Sequence, residues 1–140
     1  MSIETAKKTL NRAQAELHQG KDEEDLRQAA EKGWRAAREA VYAVLDAAGE
    51  PTKKSTLSPQ SVAAFEVDYL GRGRRRLQPL TAGYVRAMNV LHGACFYEDA
   101  CPTRKELEFE MDQVLWLIEQ AEQDIDTLTA AKRSRKRSKR

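Results

Sequence analysis

The chain of 140 residues holds two histidines, His18 and His92, and one of them has neighbours suited to chemistry. Arg86 precedes His92 with five residues between them, and Asn89 stands midway. Arginine is a strong phosphate ligand, and histidine is the side chain that moves a proton near neutral pH. Together they are suited to cleaving RNA, with the RNA's own 2′-hydroxyl as the nucleophile. Six residues turn through about 240° on an ideal helix, so Arg86 and His92 do not project alike. Asn89 neighbours each at a step of three and is placed to join them into one polar strip. The plainer alternative is a core-edge histidine bonded to a backbone carbonyl, beside an unrelated surface arginine. His18 falls in the last turn of a helix, where a cation complements the helix dipole, and is structural.

The remaining inventory is thin. Glu23, Glu24 and Asp25 mark a helix start. Glu106, Glu108 and Glu110 flank another start and alternate around it. No Glu-x-x-His pair offers a di-iron site, no Walker loop occurs, and Gly71-Arg72-Gly73-Arg74 lacks the strand and spacing of a phosphate cradle. Cys95 and Cys101, six apart, form neither a disulfide framework nor a zinc pattern. Cys95 is three residues from His92, a pair that reads as interior packing. Neither a metal nor another cofactor is called for.

Charge is distributed unevenly. The net charge of +2 comes from 24 Lys and Arg against 22 Asp and Glu, and every acidic residue precedes position 131. The last ten residues carry seven of the cations, Lys132, Arg133, Arg135, Lys136, Arg137, Lys139 and Arg140, so the body is left with seventeen cations and a net −5. With no apolar residue after Ala131, that segment is expected to be a disordered tail, 131–140, beyond a single domain of 1–130. The tail and the Arg72, Arg74, Arg75 and Arg76 loop are candidates for contacting phosphates without reading sequence. A solvated tail that only aids solubility fits equally well.

The elements that must position these residues are helical. Ile3, Ala6, Leu10, Ala13 and Leu17 recur at steps of three and four, which predicts a helix from Ser2 to Gln19. A second helix spans Asp22 to Ala48, with Leu26, Ala30, Gly33, Ala37, Val41, Val44 and Ala48 inside and Trp34 beside them. Gly49-Glu50-Pro51 ends it. Ser58-Pro59 opens a third helix, with Val62, Phe65 and Tyr69 on its apolar edge. The fourth runs from Pro79 to Tyr97 over Leu80, Tyr84, Ala87, Met88, Leu91, Ala94 and Cys95. Thr103-Arg104-Lys105-Glu106 is a capping box for a fifth, whose stripe is Leu107, Met111, Val114, Ile118, Ala121, Ile125 and Leu128. No strand pattern and no internal repeat interrupts this series. The expected fold is an all-α up-and-down bundle of five helices.

Val114-Leu115-Trp116-Leu117-Ile118 is apolar nearly all round its helix. Phe109 and Trp116, seven apart, lie off the main stripe. Either the helix is buried on two sides in one chain, or these two aromatics anchor a homodimer face. No apolar run at the N-terminus resembles a signal peptide, and no stretch of about 18 apolar residues is present to span a membrane. The cytoplasm is the expected compartment.

The chain resembles the HEPN superfamily of small helical-bundle proteins. The resemblance covers roughly Lys21 to Ala121 and rests on length, on Lys32-Gly33-Trp34-Arg35-Ala36-Ala37-Arg38-Glu39-Ala40, and on Arg86 followed by His92. The run Leu91-His92-Gly93-Ala94-Cys95-Phe96-Tyr97-Glu98 looks like small prokaryotic branches of it. The resemblance implies an up-and-down bundle, often dimeric, whose active members carry Arg-x(4–6)-His and act as metal-independent ribonucleases. It further implies a toxin–antitoxin or defence setting, in some cases with a nucleotidyltransferase partner. Where many members have a polar residue directly after the arginine, this chain has Ala87. Two functions therefore compete. One is RNA binding or cleavage, with Arg86 holding the phosphate, His92 as acid or base and Asn89 orienting. The other is a non-catalytic dimeric interaction protein whose basic tail contacts nucleic acid or an acidic partner. The enzyme needs Arg86 and His92 exposed in one cleft; the interaction protein does not.

Overall fold

The computed structural model describes residues 2–50, 57–71, 80–97 and 101–138. All five expected helices are present, and no strand occurs among the described residues. They are α1 (Ile3–Gln19), α2 (Glu23–Ala47), α3 (Pro59–Gly71), α4 (Leu80–Ala87) and α5 (Arg104–Ser138). Helix α4 runs on directly into a π-helical segment, Met88–Tyr97.

The helix ends follow the sequence signals closely. Ser2 accepts from the Thr5 amide at the start of α1. Asp22 and Asp25 cap one another's backbone at the start of α2. Ser58 and Ser61 do the same before α3, and Thr103 accepts from the Glu106 amide at the start of α5. These bonds satisfy amides that have no intrahelical partner. Helix α2 ends in a Schellman motif: the Glu50 amide donates to Leu45 O and the Gly49 amide to Asp46 O. Gly49 sits there at φ 78°, a left-handed conformation that costs glycine nothing.

Helix α2 is the axis of the bundle. It packs against α1, α5, α4 and the π segment, and it is buried on more sides than its predicted stripe, adding Ala29, Ala36, Ala40, Ala43 and Leu45. Its alanines let neighbours approach closely. Gly33 is a point of close approach, since a Cβ there would lie 3.3 Å from Leu91 Cδ1 and 3.6 Å from Met111 Cε. The predicted stripe of α1 is buried in full, as are Val62, Phe65 and Tyr69 on α3 and Leu107, Met111, Val114, Ile118, Ala121 and Leu128 on α5. Helix α3 packs mainly on α4. Glu66 fixes that junction by accepting from the Leu80 amide at 2.8 Å and the Thr81 hydroxyl at 2.5 Å, capping α4 from outside. Across the other end of the bundle, Arg104 of α5 donates to the His18 and Gly20 carbonyls and so caps α1.

Helix α5 is described as far as Ser138, within the basic segment 131–140. Lys and Arg are good helix formers, and no Gly or Pro interrupts the run. Leu128 is the last buried side chain described on α5, and Lys132 and Arg133 are exposed. The fourth helix is not uniformly α-helical, because hydrogen bonding widens to i→i+5 from Met88 onward. Cys101 is disulfide-bonded, which corrects the reading that placed it outside any disulfide. No helix of the described residues is long and apolar enough to cross a membrane.

Candidate functional site

Arg86 and His92 are taken by carboxylates of two different helices. Arg86, at the end of α4, donates from Nε and Nη2 to the two carboxylate oxygens of Glu110 on α5, at 2.9 and 2.6 Å. The Glu110 side chain is 9% exposed and that of Arg86 49%. Glu110 raises the arginine's pKa above its ordinary value, first by its hydrogen bonds and then by its charge. The guanidinium also lies 5.4 Å from the ring centroid of Phe109.

His92, in the π segment, has its Nδ1 2.9 Å from Glu31 Oε2 on α2. Its ring stacks on Trp34 at a centroid distance of 5.7 Å and an interplanar angle of 23°. Trp34 in turn meets Tyr84 at 5.1 Å, and Arg38 lies 5.8 Å from its ring. The Tyr84 hydroxyl donates to the Leu57 carbonyl at 2.9 Å. Burial raises the Tyr84 pKa, and the nearby Arg38 charge opposes that rise. An indole wedged between α2 and α4 thus seats the imidazole.

The single polar strip expected from spacing does not form within one chain. Asn89 is exposed, and among the described residues no hydrogen bond ties it to Arg86 or His92. The change from α- to π-helical winding falls between Arg86 and His92, so the angle computed for an ideal helix does not apply. A cavity of about 310 Å³ beside Arg86 is lined by Gly83, Glu110, Val114 and Trp116, and His92 is not part of it.

A second cavity, of about 340 Å³, opens along α2 beside the His92 partner. It is lined by Glu24, Arg27, Gln28, Glu31, Lys32 and Arg35. Glu31 therefore faces both the histidine and this cleft. Arg27 pairs with Glu23 at 3.4 Å, and Lys32 pairs with Glu16 of α1.

Sequence spacing missed Glu31, Glu110 and Trp34 as site partners. Their sequence distances from the residues they touch are 61, 24 and 58 positions, so no local pattern announces them. Phe109 and Trp116 are where the sequence placed them, off the main stripe and 54% and 47% exposed. Of the basic candidates, Lys132 and Arg133 are exposed on the last turns of α5, and Arg135, Lys136 and Arg137 follow on the same helix. Arg72, Arg74, Arg75 and Arg76 lie outside the described residues.

The family model of the archaeal PaREP1/PaREP8 family matches residues 1–118. No curated protein matches the chain, and no solved structure does.

Proposed function

This chain belongs to the archaeal PaREP1/PaREP8 family, and we propose that it is a HEPN-like helical protein that binds and cleaves RNA through His92. The supporting observation is the contact of His92 Nδ1 with the Glu31 carboxylate at 2.9 Å. A carboxylate on one ring nitrogen fixes the imidazole's orientation and selects the tautomer whose Nε2 accepts a proton. The Trp34 stack limits the ring's swing. In this reaction Nε2 takes the proton of the 2′-hydroxyl, and the 2′-oxygen bonds to the adjacent phosphorus. The bond to the 5′-oxygen then breaks, and that oxygen takes a proton from the imidazolium or from water. The products are a 2′,3′-cyclic phosphate and a 5′-hydroxyl. Within one chain His92 does not line the cavity beside Arg86, so Arg86 enters this chemistry only across a dimer, with its guanidinium released from Glu110. A homodimer, a toxin–antitoxin or defence setting and a nucleotidyltransferase-type partner belong to the same proposal.

The deciding experiment is cleavage of several RNAs in the presence of EDTA by wild type, His92→Ala and Glu31→Gln. Wild-type cleavage ending in a cyclic phosphate, lost in His92→Ala and weakened in Glu31→Gln, is the expected result. Absence of wild-type cleavage, with the protein folded, removes the catalytic step.

A second proposal is favoured by the exposure of Phe109 and Trp116, two large aromatics seven residues apart on α5. In it the chain is a non-catalytic interaction protein that pairs through this face, and the basic end of α5 contacts nucleic acid or an acidic partner. Arg86 then serves as a structural clamp on Glu110.

A further inference from the structure

We infer that the α2 cleft is a phosphodiester-binding site, in which Arg27, Lys32 and Arg35 hold the RNA backbone beside His92. The inference rests on the RNA reading above and assigns it cations other than Arg86. Arg27, Glu31 and Arg35 follow at steps of four along α2, so they share one line of the helix surface. Arg27 and Arg35 are separated along the helix axis by roughly 12 Å, with Glu31 between them. That brackets the carboxylate that touches His92.

The local charges suit an anion. The cleft is lined by three cations and two carboxylates, and one of those carboxylates, Glu31, is already turned to His92. Arg27 pairs with Glu23 and Lys32 with Glu16, and neither of these two carboxylates lines the cleft. Both pairs are partly exposed, so water weakens them and a phosphate competes for the same donors. Arg35 is exposed and has no carboxylate partner among the described residues. The planar guanidinium of arginine matches the geometry of a phosphate's oxygens.

The test is binding of a fluorescently labelled 2′-O-methyl oligoribonucleotide, which cannot be cleaved by its own 2′-oxygen, followed by anisotropy over a salt series. Arg27→Gln/Arg35→Gln is compared with Lys8→Gln/Arg12→Gln, which removes the same charge from exposed positions on α1. The cleft double variant is expected to bind at least tenfold more weakly, at about the level of two lost phosphate contacts. Its salt slope should fall by roughly 0.7 per contact, while the α1 variant stays near wild type. Wild type failing to bind, unchanged binding by the cleft variant, or an equal loss in both variants overturns the inference. The two proposals separate cleanly. RNA cleavage that needs His92 but survives Arg27→Gln/Arg35→Gln removes the cleft alone. Cleft-dependent binding without cleavage removes the catalytic step alone.

Discussion

Arg86 and Glu110 are joined by two parallel hydrogen bonds, 2.9 and 2.6 Å long, that tie the end of α4 to the first turns of α5. The carboxylate is buried and the guanidinium half-exposed, so the two partners are unequal. Removing Arg86 leaves a buried carboxylate unanswered, which is costlier than losing a surface pair. Arg86→Ala should therefore cost about 1–2 kcal/mol, discounted for the exposure of Arg86. Arg86→Lys, which keeps the charge and loses the fork, should fall between. Urea unfolding measures this. Full stability in Arg86→Ala would show that Glu110 is not dependent on the arginine.

Gly33 is expected to tolerate a methyl group and little more. A Cβ at this position approaches the buried Leu91 and Met111 to 3.3 and 3.6 Å. Gly33→Ala gains helix propensity of about 1 kcal/mol, which offsets the crowding. Gly33→Val should destabilise by about 1–3 kcal/mol through overpacking. Thermal melts of the two variants test the contrast, and a valine variant as stable as wild type would refute the close packing of α2 on the π segment.

The alkaline limb of stability should depend on Tyr84. Burial raises its pKa above 10.0 in the folded chain, so the folded state holds the phenolic proton more tightly than the unfolded one. The resulting stabilisation is complete below about pH 10 and is lost as pH climbs through the folded-state pKa. Tyr84→Phe removes the titration and the bond to Leu57. Its stability should be lower at neutral pH and fall less steeply above pH 10. Parallel alkaline limbs in the two proteins would contradict this.

Self-association should depend on Trp116 more than folding does. The side chain is 47% exposed, so Trp116→Ala sacrifices only part of a full burial. Sedimentation equilibrium should show a weaker dimer with a melting temperature that shifts little at matched monomer concentration. A wild-type chain that sediments as a monomer would end the dimer proposal.

Removing residues 131–140 should leave stability within about 0.5 kcal/mol, because the last described buried residue of α5 is Leu128. Any salt-sensitive nucleic-acid binding should weaken, since seven cations leave with the segment. Equal affinity in the shortened protein would take the tail out of the functional account.

The sequence by itself determined where helices begin, which faces they bury and where the exposed Phe109 and Trp116 of α5 stand. Those properties are local: Ser2, Asp22, Ser58 and Thr103 cap amides three residues ahead, and a stripe such as Ile3 to Leu17 repeats within one helix. Composition also found the basic end of the chain, within which α5 is described as far as Ser138. Tertiary structure decided what the chemistry-bearing residues touch. His92 meets Glu31 and Trp34, and Arg86 meets Glu110, only because α2, α4 and α5 pack side by side at small residues such as Gly33. Helical spacing sets the direction of a side chain along its own helix. Which carboxylate it finds depends on how far each neighbouring helix has turned and slid, and Met88, where α-helical winding gives way to π, alters that for His92.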